Sequence, residues 1–506
     1  MKKKLIGVFA ALALFAGCLG LVACGEEKDP CADGHDWGEW SVTKAATCTE
    51  KGSRTRSCKN GDKTETEEIP MLAHTYDATE TNYCTVCMTY YVGTEAQLRE
   101  LSSKTGDFAG KTIKLTADIT LSEDAWTPIC KGVRSGKELS AGFAGIFDGA
   151  GKTISNLTVS TSPANADEGV GFFSCVKGGT VKNLKLSEIS VEALTCEMAG
   201  GVSGGVSAGG KIENCTVSGS IKVGRGVGGI AGRVLETGSV SDCVNDAAIE
   251  GVLAGGNVAG IVGAMYYVGS PETLFIADCV NNGSIKGATG TGGIVGLLTT
   301  GKVSGCVNNG KITATGGTSI GGIAGEMKSG GILSACENKG DIAATASWVG
   351  GIVGWIRYDK GEAYASASGV GRVENCNNSG KISATGGDLT AGTGRIYSFG
   401  GIVGGAYNWA EIENCENSGA LEVKGNANMT GGVIGNVQHS ADNKYFEEKS
   451  VSVTNCKNTS TSISEEAASG MVHTIVGHVG NWTYTVFEDC TSADIAGMTT
   501  GIQEKA

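Results

Sequence analysis

The chain has 506 residues, of which 82 are glycine and only 5 proline, and its formal charge is −13. The glycine follows no Gly-X-Y period, which excludes a collagen helix, and the acidic balance disfavours a nucleic-acid partner, because phosphate binding needs a concentrated basic surface. Charged residues at 18% and aromatics at 6% predict an interior of small side chains.

Residues 1–23 begin with Lys2, Lys3 and Lys4 and continue as an apolar run from Leu5, the pattern of an export signal. The segment closes on Leu21-Val22-Ala23-Cys24, followed by Gly25-Glu26-Glu27. This resembles a bacterial lipobox, which implies a lipidated Cys24 at the mature N-terminus and residues 24–30 as a tether. A cell-surface location follows, with the acyl chains at Cys24 holding the protein to the bacterial membrane. An ordinary cleaved signal is the plainer alternative. The tail at 496–506 shows no sorting signal or apolar helix, in keeping with an N-terminal anchor.

Residues 31–92 are rich in cysteine and histidine: Cys31, His35, Cys48, Cys58, His74, and Cys84-Thr85-Val86-Cys87. With Gly34-His35-Asp36-Trp37-Gly38-Glu39-Trp40 and Ala46-Thr47-Cys48-Thr49-Glu50, the stretch resembles a small module of surface proteins from gut anaerobes. It is too short to stand on a hydrophobic core alone. Cys84 and Cys87 have half of a zinc-knuckle spacing. Cys58 and His74 complete the expected set, with His35, Cys48 and Cys31 as further candidates. The segment departs from its relatives at Cys58-Lys59-Asn60-Gly61, where a second Cys-x-x-Cys is usual. Structural zinc, disulfides in an exported chain and thiols in a reducing habitat are all compatible with this pattern. No cofactor is required by the rest of the chain.

Residues 93–160 start a different element. Glu95 to Leu101 has apolar residues at helical spacing behind Thr94, which is placed to cap it, so a short helix is expected over the open end of a strand stack. Thr112 to Ile119 alternates like a strand, and Asp148-Gly149 and Ala150-Gly151 signal turns. Asp118 and Asp148 stand at strand ends beside such turns, which points to turn chemistry and not to a catalytic pair.

From 161 to 495 one pattern repeats: Gly-Gly-Ile-Val-Gly, a variable stretch, then x-Ile-x-Asn-Cys-x-Asn-x-Gly-x-Ile. The clearest copies start at Gly228, Gly292, Gly321, Gly350, Gly400 and Gly431. Self-similarity at about this period marks a solenoid, in which each unit buries its apolar face only against its neighbours. The pattern resembles the GLUG motif, found in bacterial cell-surface proteins. The resulting expectation is an all-β fold, a right-handed parallel β-helix of about ten coils, with the short capping helix and the small cysteine and histidine module before it. Cys215, Cys243, Cys279, Cys306, Cys336, Cys376, Cys415, Cys456 and Cys490 fall one to a coil and read as core filling. Asn245, Asn281, Asn308, Asn338, Asn378, Asn417 and Asn458 form a second column, expected to pass amide hydrogen bonds from coil to coil.

The variable stretch concentrates aromatic residues: Tyr266, Tyr267, Trp355, Tyr358, Tyr407, Trp409, Tyr445 and Trp482. Rings on repeated loops can stack on sugars or simply pack beneath those loops. No metallopeptidase, nucleophile-elbow or nucleotide-loop motif occurs. The expected function is non-catalytic: a monomeric surface protein binding glycans or extracellular proteins. A polysaccharide lyase or glycoside hydrolase on the same scaffold, or a ligand-free spacer, are the alternatives.

Overall fold

The computed structural model describes residues 34–493 apart from 60, 62, 81, 137, 161–164, 267–273, 329, 358–369, 387–396, 425–428, 439–450, 466–470 and 480–484. Cys24, Cys31, Tyr267, Tyr358, Tyr445 and Trp482 therefore lie outside the described residues. The chain forms two compact units.

The first unit is a three-stranded antiparallel sheet of β1 (Ser41–Lys44), β2 (Gly52–Ser57) and β3 (Thr64–Ile69). Its sequence is polar, and among its described residues the buried apolar side chains are Cys48 and Cys58. Arginine stacking replaces a core. Arg54 and Arg56 lie 4.7 and 4.6 Å from the Trp40 ring, and Arg56 lies 5.0 Å from that of Trp37. The same arginines reach across the strand pair to Glu67 (2.7 Å) and Glu65 (2.6 Å). Partly exposed pairs of this kind each add only about 1 kcal/mol.

The second unit begins with a hairpin of β4 (Tyr83–Cys84) and β5 (Thr89–Val92), after which strand pairing becomes parallel. The expected helix is present as α1 (Glu95–Ser103). Thr94 Oγ1 accepts from the Gln97 N–H (3.3 Å), and Gln97 Oε1 accepts in return from the Gly93 N–H (2.9 Å). This reciprocal cap fixes the start of the helix, while Leu98 and Leu101 enter the continuous core of the stack. The Ser122 hydroxyl and N–H, with Arg99, hold the Glu95 carboxyl down at about 2. Asp148 does the expected turn work, accepting from the Ala150 N–H (2.9 Å), whereas Asp118 accepts from the Thr153 N–H in the next coil (2.8 Å) and so ties two coils together instead of closing a turn.

The stack is a parallel β-helix. One face is a fourteen-stranded sheet that continues from the opening hairpin through strands such as Gly301–Ser304 and Gly331–Ser334 to Thr485–Glu488. A ten-stranded face runs from Phe173–Lys177 to Val476–Val479, and a nine-stranded one from Ala199–Gly200 to Met471–His473. The remaining face carries the Asn strands and the Ile strands that follow them. Successive ladder asparagines are 27 to 41 residues apart, so coil length varies while the pairing register is kept.

The Asn-Cys pair is a corner. The residue before each column cysteine has φ between +50° and +65°: Asn214, Asp242, Asp278, Gly305, Ala335, Asn375, Asn414, Asn455 and Asp489. Asn, Asp and Gly tolerate this region best. Across the corner each of the nine thiols donates to the carbonyl two residues earlier, at 3.1 to 3.5 Å. The cysteines are thus buried donors as well as filling, and no disulfide joins them. Burial pushes the Cys243 thiol well up, toward the protonated form that can donate. Ala335 is the exception among the corner residues. Ala335→Asn is expected to stabilise by about 1 kcal/mol in chemical denaturation, because it relieves a strained alanine. It also supplies an amide like that of Asn455, which donates to Asn414 Oδ1 in the adjacent coil (2.7 Å). An unchanged midpoint would mean that this corner is strain-free with alanine.

The asparagine ladder is continuous. Nδ2 of Asn245, Asn281, Asn308, Asn338, Asn378 and Asn417 each donates to Oδ1 of the next asparagine, at 2.7 to 2.9 Å. The second proton of each goes to the carbonyl two residues on, as from Asn338 to Gly340 (3.0 Å). The second glycine of each Gly-Gly pair lies against this ladder: a Cβ on Gly322 would overlap the Asn338 amide, and one on Gly351 the Asn378 amide and the Gly401 carbonyl.

Candidate functional site

The outer surface of the ten-stranded face carries the one aromatic group in which two expected binding residues meet among those described. Along that face Leu297, Glu326, Trp355, Gly405, Asn436 and His478 occupy successive register positions, with Lys328, Arg357, Tyr407 and Gln438 two residues on. The strand Val353–Arg357 sends Val353 and Ile356 into the core, which turns Trp355 and Arg357 outward. Trp355 stacks on Trp348 (centroids 5.4 Å, 7° between planes) and meets Tyr407 edge-on (6.5 Å, 85°). Arg357 lies 5.0 Å from the Trp355 ring and ion-pairs with Glu326 (2.6 Å), which is 9% exposed.

Two features make room in this cluster. Gly405 has no side chain where the six-membered ring of Trp348 rests, since a Cβ there would overlap it. One position further, Asn436 is 0% exposed, and among the described residues neither polar atom of its amide has a partner; the Trp355 indole N–H is likewise buried and unpartnered among them. Such groups are rare in native interiors and mark places where water or a ligand supplies the missing bonds.

The other expected aromatics do not extend a strip. Tyr266 belongs to the same face but three strands earlier, about 14 Å away at the usual strand spacing, where Arg233 lies 5.2 Å from its ring. It packs on Leu139, Cys175, Met198 and Leu235. Between the two clusters stands the coil of Leu297. Trp409 sits in a corner, with Asn408 and Trp409 both at positive φ, so it shapes the chain's reversal after Tyr407. Trp348, Arg357, Glu326 and Asn436 were not singled out by sequence. Aligning the repeats would have flagged Trp348, whose register partner in the next coil is Ser398.

In the first unit Cys48 lies beside His74, the two ligand atoms within 4.8 Å of one another, while in the second Cys84 and Cys87 flank the turn between β4 and β5. Cys58, expected beside His74, is not with it, and Cys48 takes its place. The register of β2 and β3 explains the exchange. Gly52 pairs with Ile69 and Ser57 with Thr64, so the chain leaving β3 toward His74 emerges at the Gly52 end, where Cys48 lies. Cys58 follows Ser57 at the opposite end, about 17 Å along the strand, and bridges to Trp37 instead.

Among the described residues of the second unit, the carboxylates with displaced ionisation are displaced downward: Asp77 by Thr79, Glu80 by Lys104 and Tyr90, Glu95 by Ser122, and Glu250 by Lys286. Glu411 is engaged by Arg372 (2.9 Å).

The fold and its repeat define the class as a parallel β-helix, two segments of which match a known repeat motif. The family model of the GLUG motif matches residues 195–222 and 397–423, which span the copies at Gly200 and Gly400. Among solved structures, a Bacteroides ovatus protein provisionally named an immunoglobulin A1 protease is similar, with 19% identity, a TM-score of 0.35 and coverage of 75% of this chain and 84% of that one. No curated protein matches.

Proposed function

We propose that the chain is a cell-surface β-helix, held by lipid at Cys24, that binds glycans without cleaving them on the face carrying Trp348, Trp355 and Tyr407. The observation that carries this is the unpartnered Asn436 amide beside the stacked tryptophans. Sugars present apolar C–H faces to aromatic rings and hydroxyls that both donate and accept, which suits a ring cluster with an unfilled amide next to it. Binding is favoured over hydrolysis because a glycosidase needs two carboxyls free to act as acid and base or nucleophile, whereas Glu326, the carboxylate among the described residues of this cluster, is tied to Arg357 (2.6 Å).

The full chain screened on mucin and plant glycans is expected to bind without releasing oligosaccharides. Tyr407→Ala and Trp355→Ala should each weaken that binding about tenfold, or 1.4 kcal/mol. Asn436→Ala separates the roles further. Removing two unsatisfied buried polar atoms should leave stability unchanged or raise it, while binding falls. Oligosaccharide release would establish an enzyme, and full binding by all three variants would remove the site from this face.

A further inference from the structure

We propose that Arg233 binds the negatively charged group of an acidic sugar, a uronate carboxylate or a sulfate ester, at a second site on the ten-stranded face. Arg233 stands in the same outward row as Trp355, four strands before it, which is about 19 Å. Its strand, Ala231–Leu235, sends Ala231 and Val234 into the continuous core. Arg233 and Leu235 therefore point the other way, and Leu235 joins Leu139, Cys175 and Met198 there. The material over this face buries Arg233 too, leaving it 6% exposed.

A guanidinium this deep calls for an anion, because a buried charge without a counter-charge is strongly unfavourable. Among the described residues no carboxylate pairs with it. Its Nε donates to the Glu197 carbonyl (3.1 Å), and its charge lies 5.2 Å from the Tyr266 ring. The neighbouring carboxylates are engaged by other arginines. Glu197 pairs with Arg225 and lies 3.8 Å from Arg134, which in turn pairs with Asp167. Glu168, next to Asp167, is matched by Lys131 (2.9 Å). Three guanidiniums thus share two carboxylates, and the most buried of the three is the one left over. Arg134 Nε is also buried without a partner among the described residues. This local excess of positive charge runs against a chain whose formal charge is −13.

The geometry suits an oxyanion. The Glu197 carbonyl and the Tyr266 ring hold the guanidinium in place, which makes Tyr266 a positioning residue and not a stacking platform for sugar. No described residue accepts from Nη1 or Nη2. Those two nitrogens form a planar fork that matches two oxygens of a carboxylate or sulfate. Bare backbone borders the fork, since a Cβ on Gly226 would come within 3.4 Å of Nη2. That the anion is carried on a sugar rests on the glycan reading above; the need for an anion rests on Arg233 and its neighbours alone.

The full chain is titrated with glucuronate, a sulfated glucose and glucose at fixed ionic strength, followed by saturation-transfer nuclear magnetic resonance. At least one of the charged sugars is expected to bind about tenfold more tightly than glucose, and the tighter of them identifies the group. Arg233→Gln should abolish that preference without lowering the melting temperature, because it removes a charge that has no counter-ion in the free chain. Glu197→Gln should enlarge the preference severalfold by withdrawing a competing carboxylate, a gain that a purely structural arginine would not give. Tyr407→Ala, in the other cluster, should leave the preference intact. Charged sugars that bind while glucose does not, with binding lost in Arg233→Gln and kept in Tyr407→Ala, would uphold this site and remove the glycan reading of the tryptophan cluster. Equal binding of all three sugars, weakened throughout by Tyr407→Ala, would overturn the anion site and leave that reading standing. A preference unchanged in Arg233→Gln would overturn the site as well.

Discussion

Asn338→Asp is expected to lower the unfolding free energy of the middle coils by about 3–5 kcal/mol at pH 7, the sum of two orphaned acceptors and a buried charge. In the native ladder Asn338 accepts from Asn308 (2.8 Å) and donates to Asn378 Oδ1 (2.8 Å) and the Gly340 carbonyl (3.0 Å). Aspartate keeps the shape and the acceptor but has no N–H, so both oxygens it should serve face a carboxylate in a site that is 0% exposed. Burial must raise its pKa above the unfolded value of about 3.9. The sign follows from linkage: a raised folded pKa leaves stability intact below the unfolded pKa and removes it as pH rises through the folded one. The deficit against the parent chain should therefore be smallest near pH 4 and grow toward neutrality. Urea unfolding at the two pH values, with hydrogen exchange to locate the loss in neighbouring coils, measures it. Equal stability of the two chains at pH 7 would show that the ladder contributes shape alone.

A comparable loss, about 3 kcal/mol or more, is expected for Gly351→Ala, where the added methyl has no free direction. Its Cβ would overlap the carbonyl of Gly401, a backbone atom of the next coil, and the amide carbon of Asn378. The carbonyl can yield only if two coils part, and parting stretches the parallel pairing on both sides. Gly209 supplies the control: its φ is +79° but a Cβ there meets nothing within 4 Å, so Gly209→Ala should cost only the conformational penalty of about 1–2 kcal/mol. A double variant, Gly351→Ala with Asn378→Ala, should recover part of the loss, with an interaction energy of about 1 kcal/mol in a double-mutant cycle. Simple additivity would mean that the backbone clash alone sets the cost.

Much of this fold was legible from the sequence because a solenoid repeats its constraints. Each coil solves the same stacking problem, so the residues that solve it recur at fixed places. The parallel β-helix, the capped helix behind Thr94, the asparagine ladder and the turn role of Asp148 all follow from local pattern and spacing, whereas Asp118 bonds to the coil above it, which spacing does not reveal. The binding face was less legible. Trp355 and Tyr407 could be named as aromatics in variable stretches, but their meeting depends on which positions of Val353–Arg357 turn outward, and on Gly405 leaving space for Trp348. Tyr266 carries the same sequence signal and packs elsewhere, since it lies three strands before Trp355 on that face.

The sequence by itself determined that glycine pairs, asparagines and cysteines recur once per coil, and that their types suit close approach, amide bonding and small-residue packing. Only the tertiary structure decided that these words of the repeat answer one another. The second glycine is bare because the asparagine amides fill the space its Cβ would take, and the residue before cysteine is Asn, Asp or Gly in every coil but that of Ala335 because the corner there is left-handed. The choice of Cys48 over Cys58 beside His74 belongs to the same class. Spacing along the chain treats the two thiols alike, whereas the antiparallel register of β2 and β3 sends them to opposite ends of the sheet.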